Sequence, residues 1–349
     1  MVPWRYPRRD PVAPTPSITV AMPTYNGADF VADSMRSILD QSIDDYEVLV
    51  IDNGSNDGTY DLLREFRSPS VRLMRIDEPL GIVGATNLLV HESRTPWVKF
   101  VYQDDLLDRT CLERMRPSMT RDASAVACER RYVYFDDVPD WRREACDSLV
   151  ANSIHRAHPE LDSVGLPELI GFVLDEMGTS NRIGEPLSIA VRRDAYLSCG
   201  GMDTRFCQLL DYEAWIRLAS VGVLRLVHEE LVTFRIHAAS ATSANLERSY
   251  YDTEVIDRLR FWLALVELGR RSDDVDDLRM RQLGAAAARQ LLAAWVSAAH
   301  TRGRDRRRRM RMLAAALWSF RREAWSTART LQQRATASIT SPKRADRRP

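Results

Sequence analysis

Two hydrophobic periods alternate over the first hundred residues. Residues 17–22 (SITVAM) form an apolar, β-branched run that ends in Pro23-Thr24-Tyr25-Asn26-Gly27, a cluster of turn formers. A 3.6-residue stripe follows, with Val31, Met35, Ile38 and Leu39 on one face. Residues 47–51 (EVLVI) repeat the strand signal and stop at Asp52-Asn53-Gly54-Ser55. Asp57 is then placed to cap a helix carrying Tyr60, Leu62, Leu63 and Phe66. Residues 71–76 read as a third strand, 84–92 as a helix, and 97–102 (WVKFVY) as a fourth strand stopping at Gln103-Asp104-Asp105. Strand–helix repetition at this spacing predicts βαβ units and a largely parallel sheet, an α/β fold. Ligands of such sheets bind at the carboxyl ends of the strands, and here those ends carry Thr24, Tyr25, Asp52, Asp104 and Asp105.

Farther along, 125–135 and 188–192 read as strands, 136–185 as irregular, Gly200-Gly201 as a turn and 211–219 as a helix. Residues 231–237 (LVTFRIH) read as a strand with Arg235 and His237 on the face opposite Val232, Phe234 and Ile236. These elements predict an α/β domain over 17–245, preceded by a flexible arm over 1–16. A helical region over 246–334 follows, with Ile256, Leu259, Leu263 and Val266 on one stripe. Residues 304–333 form a basic amphipathic pattern, and 335–349 are expected to be a disordered basic tail. No internal repeat occurs.

Composition narrows the class. With 349 residues, 45% hydrophobic and 28% charged, the chain is neither a disordered nor a collagen-like sequence. No apolar run approaches the roughly 18–20 residues of a membrane-spanning helix. The first 17 residues carry five prolines and several arginines in place of an apolar leader, and the five cysteines form no CxxC pair. The expected setting is therefore the cytoplasm. The formal charge of zero hides an asymmetry: residues 301–349 hold 15 basic and 3 acidic side chains, the first 300 hold 34 and 46. The basic segment, with Trp318 and Trp325, suits peripheral contact with an anionic membrane and suits plain helix packing equally. Deleting the residues after Gly303 is expected to weaken such membrane contact. No nucleic-acid motif accompanies the basic residues, so nucleic acid is not an expected partner. The oligomeric state leaves no signature.

Several side chains are candidates for chemistry. Adjacent carboxylates at a strand end, Asp104 and Asp105, repel one another unless a cation or hydrogen bonds offset them. A hard divalent ion completed by phosphate oxygens is one solution, and a solvated turn is the other. Asp52 suits a nucleoside hydroxyl or base, or an Asx-turn. Neither a G-x-G-x-x-G nor a Walker loop is present to hold phosphate. Asp211 and Glu213, in a first helical turn, fit either a dipole role or a general base. Arg235 and His237 together could meet a pyrophosphate or a metal ion. His155 and His158 lack a third ligand and are expected to face solvent.

Taken in order, the stretches SITVAMPTYNGADFVADSMRSILDQSIDDYEVLVIDNGSNDGT, GATN at 84–87, VYQDDLLDRTCLERM, GEPLSIAVRRDAYLSCGGMD, LLDYEAWIRLASVG and FRIHAASAT resemble the family 2 glycosyltransferases. The resemblance covers about Ser17 to Thr242. It implies a GT-A fold, a Rossmann-like sheet flanked by helices, and inverting transfer of one sugar. The donor would be a nucleotide-sugar, a UDP-sugar first, and the acceptor a hydroxyl of a saccharide, lipid-linked or secondary-metabolite molecule. A divalent cation, Mn²⁺ or Mg²⁺, would assist. The resemblance assigns the nucleoside to Pro23, Thr24, Tyr25 and Asp52, with Asn87 near ribose and phosphates. It assigns Asp104 and Asp105 to the metal-binding pair, with Asp105 and His237 as ligands, and Asp211 to the base, with Glu213 as its alternative. Gln103 and Leu210 stand where relatives frequently carry acids. The Gln-x-x-Arg-Trp motif of processive synthases is absent, which implies single-sugar transfer. A degenerate transferase that only binds nucleotide or a protein partner is one alternative. A nucleotidyltransferase is another, though PTYNGAD is not the Gly/Arg/Lys-rich phosphate loop it would need.

Overall fold

The computed structural model describes residues 17–237 and 255–318. The expected arm over 1–16 and tail over 335–349 lie outside the described residues. The chain divides into two compact units, Met1–Glu247 and Arg248–Pro349.

In the first unit, β1 (Ile18–Thr24), β2 (Tyr46–Asp52), β3 (Val71–Arg75) and β4 (Trp97–Phe100) pair in parallel in the order β3-β2-β1-β4. Helices α1 (Val31–Leu39), α2 (Thr59–Glu65) and α3 (Gly81–Glu92) make the crossovers. All seven residues of β1 are buried. Both faces of a parallel sheet are covered by helices, so its strands read as apolar runs and not as alternations. Helix α1 turns Val31, Met35 and Ile38 onto the sheet, and the Tyr46 hydroxyl donates to the Ile38 carbonyl at 2.8 Å, tying β2 to α1.

The chain then runs through β5 (Leu106–Leu107), α4 (Cys111–Met115), β6 (Ala123–Tyr134), α5 (Asp140–Ala151), α6 (Ile154–Ala157), β7 (Ser163–Val164) and α7 (Leu166–Phe172). It finishes the unit with β8 (Ile189–Arg192), α8 (Arg193–Ser198), α9 (Leu210–Leu218) and β9 (Val223–Ile236). These strands extend the sheet as β4-β8-β6-β9-β5, with β7 on β9. Strand β8 is antiparallel to both neighbours, and β6 and β9 are parallel. The α/β expectation thus holds, with a mostly parallel core.

Three local expectations need correcting. The stretch 136–185, expected to be irregular, contains α5, α6, β7 and α7. Residues 231–237 are only the later part of the 14-residue β9, whose pairing with β6 is broken by register shifts near Cys128–Arg130. His155, expected to face solvent, is buried against His228 with ring centroids 5.4 Å apart. Burial lowers its pKa to about 3 and keeps it neutral. His158 is half-buried, stacked on Phe172 and bonded to Glu176 at 3.2 Å.

Lys99 of β4 is fully buried, and its ammonium donates to the carbonyls of Phe100 (3.0 Å) and Leu187. A buried ammonium without acceptors would be strongly destabilising, so these two carbonyls keep the charge inside the sheet.

In the second unit, α10 (Asp257–Arg271) and α11 (Asp277–Ala299) precede a helix over residues 303–318. Asp276 caps α11 by accepting from the Arg279 backbone N–H at 2.8 Å. Val255, Ile256, Leu259, Ala294, Ala298, Leu313 and Ala316 form its core. Among the described residues no helix is long and apolar enough to cross a membrane.

Candidate active site at the carboxyl ends of the strands

The end of β1 is shaped by close approach. Asn26 takes φ +48°, a conformation that Asn tolerates better than most residues, and turns the chain toward α1. Its N–H donates to Ser55 Oγ (3.0 Å) and its side chain accepts from the Asn56 N–H (2.9 Å), which joins the β1 and β2 turns. A Cβ on Gly27 would collide with the Gln103 side chain. That side chain grips Tyr25 from both sides: its Oε1 accepts the Tyr25 N–H at 2.7 Å and its Nε2 donates to the Tyr25 carbonyl at 3.1 Å. The Tyr25 ring is left half exposed at the mouth. Asp52 is fully buried below it, accepting from the Ser55 N–H (3.3 Å) and the Thr24 hydroxyl (3.4 Å), with Arg75 at 3.7 Å. Asp57 accepts from the Thr59 N–H at N1 of α2, with Gly58 between them, and from the Ala28 N–H. Its partial burial raises its pKa, but the hydrogen bonds from Thr59 and Ala28 outweigh this and leave it lowered. The residue expected as the cap of α2 thus ties the two turns together.

Asp104 and Asp105 diverge after β4. Asp104 Oδ2 lies 3.1 Å from His237 Nε2. Two rings flank the imidazole, Phe30 at 4.4 Å and Phe135 at 5.9 Å between centroids. Asp105 is buried; its Oδ1 accepts from the Arg235 backbone N–H (3.1 Å), and its Oδ2 has no hydrogen-bond partner among the described residues. Burial and the adjacent Asp104 carboxylate push the Asp105 carboxyl well above its usual range. The Arg235 guanidinium donates to the Asp104 carbonyl, the Phe30 carbonyl (3.3 Å) and Ser34 Oγ (3.2 Å), and lies over the Phe30 ring. Arg235 therefore braces the Asp104–Asp105 corner against α1.

Asp211 and Glu213 stand one turn into α9 but in different surroundings. Both Glu213 oxygens are taken by the Arg217 fork, at 2.8 and 2.7 Å, and Arg217 also donates to the Cys199 and Gly201 carbonyls. Asp211 accepts from Asn181 Nδ2 (3.1 Å) and the Tyr212 N–H (2.7 Å), and among the described residues no ion pair to it is formed. Loss of hydration, then the nearby Glu185 carboxylate, raise its pKa to about 7 against the pull of those hydrogen bonds. Glu185 acts on Asp105 as well, so the two acids share one electrostatic neighbourhood.

Asn87 sits apart from the strand-end cluster. Its amide donates to the Met202 carbonyl (2.9 Å) and accepts from the Met202 N–H (2.9 Å) and the Tyr196 hydroxyl (2.7 Å), fastening α3 to the segment after α8. The structure thus brings together Thr24, Tyr25 and Asp52 on one side, and Asp104, Asp105, Arg235 and His237 on another. Pro23 closes β1, buried among them. Sequence reasoning missed Asn181, Glu185 and Arg130, which reach the site through a loop and a strand with no periodic signal. Among the described residues, no cluster of three or more His, Cys, Asp and Glu has metal-ligand geometry.

Residues 19–170 match the glycosyl transferase family 2 model. The uncharacterized protein MT1568 of Mycobacterium tuberculosis is 28% identical over 283 residues, covering 81% of this chain and 83% of that protein. The putative teichuronic acid biosynthesis glycosyltransferase TuaG of Bacillus subtilis is 30% identical over 112 residues, covering 32% of this chain and 44% of TuaG. The alignment thus spans less than half of that relative's length. Among solved structures, S. aureus TarS 1–349 in complex with UDP-GlcNAc superposes with TM-score 0.60 at 12% identity, over 87% of this chain and 80% of that one. At that identity the likeness is one of fold. Residues 19–170 thus match a family 2 glycosyl transferase domain, and the fold around them is of the GT-A kind.

Proposed function

We propose that the chain is an inverting glycosyltransferase that moves one sugar from a nucleotide-sugar, a UDP-sugar first, to an acceptor hydroxyl. The observation that carries this is that Glu185 acts on both Asp105, which adjoins the carboxylate–imidazole pair of Asp104 and His237 at 3.1 Å, and Asp211, whose carboxyl is raised to about 7. Tyr25 and Asp52, with Pro23 and Thr24 between the two strands, would hold the nucleoside. The UDP-GlcNAc complex of the TarS fold supports a uridine donor. Ionised Asp211 would take the proton of the acceptor hydroxyl as its oxygen attacks the anomeric carbon. The bond to the diphosphate breaks on the opposite face. Asp211 is preferred to Glu213 because the Arg217 fork already binds both Glu213 oxygens.

Asp104 Oδ2 and His237 Nε2 would be two donors to a divalent cation, Mn²⁺ or Mg²⁺, and Asp105 Oδ2, with no hydrogen-bond partner among the described residues, is a second carboxylate oxygen beside them. Such ions take one or two carboxylates and leave positions for phosphate oxygens. The ion would supply charge stabilisation to the departing diphosphate. The acceptor is proposed to be a saccharide or lipid-linked molecule of the cell envelope, as the name of TuaG suggests. The proposed site of action is the cytoplasm, and exposed arginines on the helix over 303–318 support contact with the anionic membrane face.

Asp211→Asn tests the core of this reading. Turnover of UDP-sugars, followed as UDP release, should fall by about 10²–10⁴-fold. UDP binding, read as a rise in melting temperature with Mn²⁺ present, should persist. Full turnover in Asp211→Asn would end the assignment of the base. No UDP-, GDP-, dTDP- or CMP-dependent shift in the wild-type protein would move the protein to a non-catalytic role.

A further inference from the structure

The loop before β8 is folded around one side chain. Asn181 Oδ1 accepts the N–H groups of Ile183 and Gly184, both at 3.2 Å, and Nδ2 donates to the Gly184 carbonyl (2.9 Å) and to Asp211 Oδ2 (3.1 Å). Trp215 Nε1 also donates to the Gly184 carbonyl, at 3.0 Å, which locks the loop onto α9, the helix that carries Asp211. Gly184 itself takes φ +141°, and a Cβ there would lie 2.8 Å from the Ser188 Cβ, so the tight turn requires glycine. One residue on, Glu185 is held by the Tyr132 hydroxyl and by Arg130 Nε at 2.7 Å. Arg130 is fully buried and is also paired with Glu129. Glu185 is thus held in place by Tyr132 and Arg130.

We propose that Asn181 is the positioning residue for the Asp211 carboxylate, and that Glu185, fixed by Arg130 and Tyr132, is an opposing carboxylate built into the same loop. This rests on the assignment of Asp211 as the base. Asn181 presents a donor to Oδ2, the oxygen opposite the one that the Tyr212 N–H holds, which favours the ionised form. Glu185 disfavours it by like charge. The other groups facing Asp211 are the Tyr212 N–H of its own helix and Tyr102 at the end of β4. The Tyr102 hydroxyl meets Thr86 at 3.3 Å and stays neutral because burial raises its pKa. Arg182 acts on Tyr212 and not on Asp211. Burial raises the pH range over which Asp211 is ionised, and two residues of one five-residue segment then tune it with opposite sign.

The test follows the ionisation of Asp211 in the full chain by two routes. The first is the acid limb of UDP release from UDP-glucose against pH. The second needs no substrate: the melting-temperature difference between each protein and its Asp211→Asn counterpart, against pH, has its midpoint at the carboxyl's titration. Asn181→Asp keeps the acceptor oxygen for Ile183 and Gly184 and removes the amide donor; Asn181→Ala removes both. Both should move the midpoint up by about one pH unit, Asn181→Asp more. Glu185→Gln should move it down by about the same amount. If Glu185→Gln fails to fold with Arg130 left to Glu129, the two Asn181 variants decide alone. An unmoved midpoint, or the same direction at both positions, overturns the proposal. Midpoints that move as expected while Asp211→Asn keeps its turnover support the positioning and reject the base assignment. Loss of turnover with unmoved midpoints does the reverse.

Discussion

At the scale of single residues, identical carboxyl groups behave differently because of what surrounds them. Asp211 has lost hydration without gaining a cation, so its folded pKa of about 7 exceeds the ordinary value near 3.8. A carboxyl raised in this way favours the native state below the unfolded pKa, and that advantage is lost as pH rises through the folded value. Asp211→Asn should therefore raise the melting temperature at pH 8 and leave it nearly unchanged at pH 4. The gain is bounded on the order of a few kcal/mol. Thermal melts at the two pH values check this, and a larger gain at pH 4 would contradict the environment described. Glu213 is the opposite case. Its charge is matched by Arg217, so Glu213→Gln should cost about 1.5–3 kcal/mol of stability, since the guanidinium loses its charged partner and keeps only the Cys199 and Gly201 carbonyls. UDP release should remain within a few-fold of wild type, and loss of turnover comparable to that of Asp211→Asn would reverse the two roles. The sequence placed both acids in the first turn of a helix but could not rank them. The deciding groups, Asn181, Glu185 and the Arg217 fork, are set by side-chain orientation and tertiary contact.

At the scale of elements, legibility followed periodicity. Strands β1 to β4 and their helices were readable because buried parallel strands are continuous apolar runs closed by Gly, Asn and Asp. Helix α5 was not, because DWRREACDSLVA presents no apolar stripe and only Arg142 of it is buried. Strand β9 was read from Leu231 on because His228, Glu229 and Glu230 interrupt its apolar run where the ladder with β6 slips. The β1 turn offers a test of packing between elements. Gly27→Ala must displace Gln103 and so release Tyr25, weakening UDP binding several-fold. Gln103→Ala should do the same, and the double variant should be no worse than either alone, as expected when two residues act through one contact. Calorimetric titration with UDP and Mn²⁺ measures all three, and additive losses would mean that Gly27 acts elsewhere.

At the scale of the whole molecule, charge and core must be separated before the C-terminal helices are tested. Truncation after Gly303 would remove Leu313 and Ala316 from the core of the second unit, and so confound lost charge with lost packing. Replacing Arg306 to Arg309 with Gln retains that core. It should reduce co-sedimentation with phosphatidylglycerol vesicles, leave phosphatidylcholine vesicles unaffected, and spare UDP binding. Equal sedimentation with and without the arginines would leave these helices as packing alone. The charge asymmetry was legible from counting, whereas the core that the basic helix supplies depends on which of its faces turns inward. A different consequence follows from the scarcity of lysine. The chain has two, Lys99 and Lys343, and Lys99 is enclosed in β4 with its ammonium held by two backbone carbonyls. Amine-directed labels should therefore leave Lys99 unmodified in the native protein. Acylation of Lys99 then becomes a clock for the opening of the central sheet, readable by mass spectrometry without any substrate.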